Sequence, residues 1–137
     1  MKPLAAVLLA VLAGCSREGP EGRIRKAFEG ARGAVEAGDA AGAAAVLSPK
    51  FTGPEGLDRA GARLLLGSVL GREKVGVTVL SQKVDVDGVR AVQTLELVLT
   101  GRAGGELLPG DRARKSLTLR WELRDGAWLI REAQWDY

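Results

Sequence analysis

The sequence contains no histidine, one cysteine and one tyrosine among its 137 residues. Histidine is the usual general base of enzymes and the commonest metal ligand, so its absence argues against both kinds of site. A lone cysteine excludes an intrachain disulfide, and the fold must therefore depend on its apolar core. Lys and Arg number 20 against 17 Asp and Glu, a weak positive balance that does not indicate a nucleic-acid-binding surface. We expect no metal, no cofactor and no nucleic acid partner.

The first fifteen residues carry the most informative pattern. Lys2 precedes an apolar run from Leu4 to Ala13, and the segment ends in Leu12-Ala13-Gly14-Cys15. A basic start, about ten apolar residues and small residues before a cleavage point are the features of an export signal, and the run is too short to span a bilayer. The ending resembles the lipobox of bacterial lipoproteins, in which the cysteine is acylated and becomes the new N-terminus.

This resemblance divides the chain into three parts. We predict a lipoprotein signal peptide at residues 1–14, a lipidated Cys15 with a polar tether at residues 15–22, and one folded domain at residues 23–137. The predicted product is exported and held in the bacterial cell envelope by its lipid. Ser16 in place of aspartate resembles the pattern of lipoproteins sent to the outer membrane of two-membrane bacteria, and the inner membrane is the alternative.

Hydrophobic spacing changes once along the predicted domain. Apolar residues recur at helical spacing in three segments, which are Ile24 to Val35, Ala40 to Leu47, and a segment after Asp58 with inward Ala62, Leu65, Leu66, Val69 and Leu70. From Val75 the pattern alternates, which predicts two hairpins: Val75–Val86 with Val89–Thr100, and Arg114–Arg124 with Ala127–Tyr137. The predicted fold is α+β, with N-terminal helices packed on a curved antiparallel sheet of four or slightly more strands.

The chain resembles the nuclear transport factor 2-like (SnoaL-like) superfamily in the order of its elements and in four segments, which are Gly38-Asp39, Leu47-Ser48-Pro49-Lys50-Phe51, Asp125-Gly126-Ala127-Trp128 and Ala133-Gln134-Trp135. The resemblance covers roughly residues 22–137. It implies a cone-shaped fold whose helices and curved sheet enclose a pocket. Because this scaffold carries isomerases, hydrolases, dehydratases and non-enzymatic binding domains, the resemblance implies no single activity.

The Asp87-Gly88 turn predicts the register of the first hairpin. A two-residue loop there places Val86 opposite Val89 and Gln82 opposite Gln93. The two glutamines then lie on an otherwise apolar face, where amides need hydrogen-bond partners or a wet cavity. We therefore predict that Gln82 and Gln93 line the pocket.

The second hairpin supplies the other pocket candidates. With a two-residue Asp125-Gly126 loop, one face carries Trp121, Trp128, Glu132 and Gln134. On this reading Glu132 is the candidate general base, beside amides that orient a substrate. A β-bulge near Arg131 is the alternative, and it would turn Ala133 and Trp135 inward and send Glu132 and Gln134 to solvent.

The opposite face of the predicted sheet is apolar. Its members on this reading are Val75, Val77, Val79, Val92 and Val98, with Trp135 and Tyr137 from the second hairpin. A monomer rarely exposes such a continuous apolar surface. The pattern therefore predicts a homodimer through the outer sheet face.

Three functions are compatible with this sequence. The first is a non-catalytic, membrane-tethered domain that binds a small apolar ligand in the cone or an envelope protein on its sheet. The second is a small-molecule isomerase or hydratase that uses Glu132. The third is a structural assembly module whose pocket is filled by its own side chains.

Overall fold

The helices precede the four long strands, as the change of spacing predicts. A computed structural model describes residues 19–103, 106–107 and 114–136, so the predicted signal peptide, Cys15 and most of the tether lie outside the described residues, as does Tyr137. The helices are α1 (Pro20–Glu36), α2 (Ala40–Ala44) and α3 (Arg59–Leu70), with a 3-10 turn at Pro54–Gly56. The strands are β1 (Leu47–Thr52), β2 (Lys74–Asp87), β3 (Arg90–Ala103), β4 (Glu106–Leu107), β5 (Arg114–Arg124) and β6 (Ala127–Asp136).

Local signals account for the starts of the helices. Pro20 occupies the first turn of α1, where its missing N–H costs nothing. Asp39 caps α2 by accepting a hydrogen bond from Gly42 N at 2.9 Å, and Asp58 caps α3 by accepting one from Gly61 N at 2.7 Å. In the part of the chain that the structure describes, no helix is long and apolar enough to cross a bilayer.

The sheet has the strand order β1-β6-β5-β3-β2, with β4 paired to β3. Its four long strands are antiparallel neighbours, whereas β1 runs parallel to β6 at one edge. The predicted α+β class is confirmed. The predicted helix from Ala40 to Leu47 is too long, because it ends at Ala44 and β1 begins at Leu47.

The first hairpin has a different register from the predicted one. Its loop consists of Gly88 and Val89, and Asp87 pairs with Arg90. Gly88 has a φ of 61°, whereas Val89 has a negative φ, the pattern found in type II′ turns. The predicted loop would have begun at Asp87, but here glycine alone takes the left-handed conformation.

A β-bulge at Leu80 interrupts β2. Val79 pairs with Leu97 and Ser81 with Glu96, which leaves Leu80 as the extra residue. The bulge reverses the alternation on its N-terminal side, so the valines of this part of the strand point inward: Val75, Val77 and Val79. The predicted apolar outer face is therefore wrong for these three residues.

A second bulge lies at Arg131 in β6. The Asp125-Gly126 loop has the predicted register, with Arg124 opposite Ala127, and both loop residues have positive φ as in type I′ turns. Beyond Arg131, Ala133 and Trp135 turn inward and pack with the core. This is the bulged alternative of the sequence analysis.

The outer face of the sheet is mixed rather than apolar. Its positions on β5 and β6 include Thr118, Arg120, Glu132 and Gln134. Of the apolar set predicted there, Val92 and Val98 remain, and both are half-buried. The homodimer through the outer face stays a prediction, without the apolar surface that suggested it.

Candidate functional site

The inner face of the sheet, against which α1 packs, is the candidate site. Its described positions on the four long strands are apolar apart from Gln82, Gln93 and Lys115. Lys115 lies opposite Leu97 and is half-buried. Polar groups in apolar surroundings require hydrogen bonds, so the partners of the two glutamines are the first feature to establish on this face.

The two glutamines and Trp121 form one hydrogen-bonded chain. Gln93 is fully buried and accepts a hydrogen bond from Trp121 Nε1 at 3.0 Å. Its Nε2 donates to Oε1 of half-buried Gln82, also at 3.0 Å. Because Val84 is opposite Gln93, the glutamines meet diagonally rather than face to face. The structure thus brings together three predicted site residues, whose role in binding stays a prediction.

Gln82 begins a row of side chains that crosses the inner face. The row continues through Leu95 and Leu117 to Trp135. Leu95 is buried, whereas Leu117 and Trp135 are half-buried. Helix α3 packs mainly on α2 and β1, and its inward Leu66 is half-buried too. This part of the cone therefore presents apolar surface that is not fully enclosed, with one amide at its edge.

Glu132 and Gln134 are absent from the inner face, and the prediction that they line the pocket is wrong. The extra residue Arg131 places both side chains on the outer face, where Gln134 is exposed. Glu132 Oε2 lies 3.9 Å from Arg120 Nε, and its side chain is 39% exposed. A carboxylate on the outer face cannot act as a base on a molecule held in the cone.

Trp128 lies on the inner face, opposite Leu123 beside the β5–β6 turn. It is buried and packs with the core. Its Nε1 is buried without a hydrogen-bond partner among the residues that the structure describes. Trp128 therefore contributes packing beside the β5–β6 turn and lies apart from the row of Gln82.

A buried carboxylate that sequence reasoning missed lies on the outer side of β5. Ser48 Oγ donates to Glu122 Oε2 at 2.6 Å, and Arg124 Nη1 lies 3.3 Å from the same oxygen. Arg131 Nη1 lies 3.8 Å from Glu122 Oε1. The hydrogen bond from Ser48, helped by both guanidiniums, lowers the pKa of Glu122 although burial opposes the shift.

This cluster joins β1 to the rest of the sheet. Ser48 is fully buried, and its Oγ also accepts a hydrogen bond from Lys50 N at 3.1 Å. With no access to solvent, Ser48 cannot serve as a nucleophile for an incoming substrate. Glu122 looks like an ordinary outward carboxylate in the sequence, because the strand that buries it was not predicted.

An open groove of about 870 Å³ lies outside the cone, between α2 and the start of α3. Small side chains of α2 line one wall, and Arg59, Arg63 and Leu64 line the other. Leu65, which the helical spacing placed inward, is exposed. The described residues contain no cluster of carboxylate, cysteine or histidine side chains that could hold a metal ion.

Comparison with known proteins identifies the fold. Neither a protein-family model nor a curated protein matches this sequence. A nuclear transport factor 2-like (NTF2-like) protein from Cytophaga hutchinsonii superposes with a TM-score of 0.70 at 15% identity, covering 86% of this chain and 98% of that one. An NTF2-like protein with a cystatin-like fold from Novosphingobium aromaticivorans gives 0.68 at 13% identity, covering 98% and 88%.

A third similar structure is a proposed dehydratase of the NTF2-like family from Streptomyces avermitilis. It gives a TM-score of 0.71 at 14% identity and covers 82% of this chain and 91% of that one. At these identities the similarity is one of fold. The chain therefore has the NTF2-like, cystatin-like fold that the sequence resemblance implies.

The amide chain supports a first prediction. Gln93→Leu should lower the free energy of unfolding by about 2 kcal/mol, because it leaves the buried Trp121 N–H without an acceptor. Urea unfolding at neutral pH measures this. Gln134→Leu is the matched control on the outer face and should change stability by less than about 0.5 kcal/mol. Equal effects of the two substitutions would contradict the buried chain.

The Glu122 cluster supports a second prediction. A lowered folded-state pKa stabilises the fold above the unfolded pKa, and this contribution is lost as the pH falls through the folded pKa. Ser48→Ala should therefore cost about 2 kcal/mol at pH 7, and the difference from wild type should narrow in acid, as the pH falls through the lowered pKa of Glu122. Unfolding curves at pH 7 and through the acid range measure this, with exposed Ser81→Ala as the control. A cost independent of pH would show that Ser48 does not act through the carboxylate.

Proposed function

We propose that this chain is an exported lipoprotein domain, tethered to a bacterial membrane through Cys15, that binds a small apolar ligand in its cone without catalysing a reaction. The supporting observation is the row that runs from Gln82 to Leu117 and Trp135. It combines half-buried apolar side chains with one amide at its edge. Small-molecule sites typically have this composition, an apolar lining with a few placed polar groups.

The hydrogen bonds of Gln82 specify the ligand further. Its Oε1 accepts from Gln93 Nε2, and Gln93 is held in turn by Trp121. Because this bond fixes the Oε1 of Gln82, its Nε2 is left to donate a hydrogen bond toward the row. The ligand that fits is an apolar molecule with a hydrogen-bond acceptor at one end, such as a carbonyl or ether oxygen.

The similarity to a proposed dehydratase raises a catalytic alternative. Dehydration requires groups that remove and deliver protons at the reacting atoms. Glu132 lies on the outer face, and the glutamines and Trp121 are bonded to one another. Lys115 is the ionisable side chain at the described inner-face positions of the long strands, and one lysine is not an acid–base pair. The described inner face therefore favours binding over turnover.

The position of α1 supports the tether. The helix begins at Pro20, so the four residues between Cys15 and Pro20 allow the two to lie at most about 18 Å apart. Lipidation at Cys15 would consequently hold the cone within a short distance of the membrane surface.

A third prediction tests the ligand site. Native mass spectrometry of the detergent-released full chain should show a retained small molecule. Leu117→Trp should abolish retention by filling the row, whereas Ser116→Trp, on the outer face of the same strand, should preserve it. Gln82→Leu keeps the volume of the site and should weaken retention about tenfold, since one hydrogen bond is lost. Retention unchanged in both inner-face variants, or an empty wild-type chain, would refute binding in the cone.

A fourth prediction tests the tether. Cells that express the full chain should incorporate labelled palmitate into it. The mass of the mature protein should match a chain that begins at a triacylated Cys15. Cys15→Ala should remove the label and leave the chain uncleaved, because both modifications require the thiol. Ser16→Ala should leave acylation intact. An unlabelled wild-type chain would overturn the tether while leaving the ligand proposal standing.

A further inference from the structure

Strand β2 is an edge of the sheet, and one part of this edge is covered. Arg32 Nη1 donates to Val77 O at 3.3 Å, and Val77 N donates to Glu36 Oε2 at 3.3 Å. Helix α1 therefore satisfies the backbone groups of Val77 that point away from β3. Capping an edge with helix side chains prevents its pairing with another strand.

Beyond the bulge at Leu80, no described residue covers the edge by hydrogen bonds. In a hairpin with a two-residue loop the closing pair, here Asp87 with Arg90, is hydrogen-bonded. Such pairs alternate with pairs whose backbone N–H and C=O groups point away from the partner strand. The residues with outward backbone groups are consequently Gln82, Val84 and Val86. No hydrogen bond joins these outward groups to the parts of the chain that the structure describes.

Two opposite charges flank the centre of this free edge. Lys83 and Asp85 lie on the outer face, with side chains that are 76% and 68% exposed, and their charged atoms are 3.7 Å apart. An exposed pair of this kind contributes little within one chain. Lysines on an edge usually oppose pairing, but a lysine and an aspartate two residues apart favour one particular partner.

We propose that this partner is a second copy of the chain, paired antiparallel along β2 about a two-fold axis at Val84. Val84 then lies opposite the partner's Val84, and Lys83 lies opposite the partner's Asp85, twice by symmetry. Moving the two-fold axis by one residue, which slides the strands by two, places Lys83 opposite the partner's Lys83 or Asp85 opposite the partner's Asp85, and both pairings are repulsive. The charges therefore select one register, in which roughly six main-chain hydrogen bonds form.

The ends of the free edge match this register. Leu80 is 50% exposed and Val89 is 58% exposed, two of the four large apolar side chains that are exposed in the described part of the chain. They lie at opposite ends of the segment. Antiparallel pairing about Val84 brings Leu80 next to the partner's Gly88–Val89 loop, so that both apolar ends are covered at once. The resulting dimer has one continuous sheet that runs through both copies.

Charge reversal tests the register. In sedimentation equilibrium of the full chain, in density-matched detergent with a reducing agent that keeps Cys15 from cross-linking, wild type should dimerise. Lys83→Glu and Asp85→Lys should each weaken the dimer about tenfold, since each variant faces two like-charged contacts. Lys74→Glu is the matched control, because it makes the same charge change in the covered part of β2. Thermal unfolding should confirm that every variant is folded.

Recombining the variants provides the decisive outcomes. The double variant Lys83→Glu with Asp85→Lys should dimerise as wild type does. An equimolar mixture of the two single variants should form a heterodimer, because every facing pair is then oppositely charged. Hydrogen exchange should show concentration-dependent protection of the amides of Gln82, Val84 and Val86. A monomeric wild type or a dimer insensitive to Lys83→Glu would overturn the proposal. So would a dimer whose formation leaves the exchange of these three amides unchanged.

Discussion

Two extra residues, Leu80 in β2 and Arg131 in β6, determine which side chains of the long strands reach the core. Alternation has a period of two, so one inserted residue exchanges the faces of everything on one side of it. Without the bulge at Arg131, the next inward positions would be Glu132 and Gln134, and an unpaired carboxylate would enter an apolar core at high cost. With it, Ala133 occupies that place and is buried. The core, the row from Gln82 to Trp135 and the free edge all depend on this geometry.

The bulge at Leu80 connects features that are separate in the sequence. It places Gln82 at the inward position from which its Oε1 reaches Gln93, so the amide chain depends on it. It also marks where α1 ceases to cover the edge, because Val77 is bonded by helix side chains and the outward groups beyond Leu80 are not. The polar group of the cone and the edge available for pairing therefore arise from one local irregularity.

Alternation and turn chemistry predicted the α+β class, both hairpins and the Asp125-Gly126 register, because these depend on neighbouring residues. The bulge at Arg131 could be foreseen as an alternative, because the apolar residues lie at even positions before it (Trp128, Ile130) and at odd positions after it (Ala133, Trp135). The same signal is present at Leu80, where Val77 and Val84 lie an odd number of residues apart and are both buried. This signal alone does not locate the bulge, because an unbulged strand with a continuous apolar outer face fits the same alternation. No local signal predicted the burial of Glu122, which requires β1 to pair with a strand some eighty residues away.

Glu122 and Glu132 show how the fold distributes charge. Both lie on the outer face of neighbouring strands, yet Glu122 is buried and bonded to Ser48 beside two arginines, whereas Glu132 is partly exposed beside Arg120. Each carboxylate has a cationic neighbour on the outer face, so both negative charges are compensated outside the cone. The described inner face is mainly apolar, and apart from Lys115 its polar side chains are the neutral Gln82 and Gln93, which are bonded to each other. The register of β6 therefore decides which face of this scaffold receives the carboxylate of Glu132.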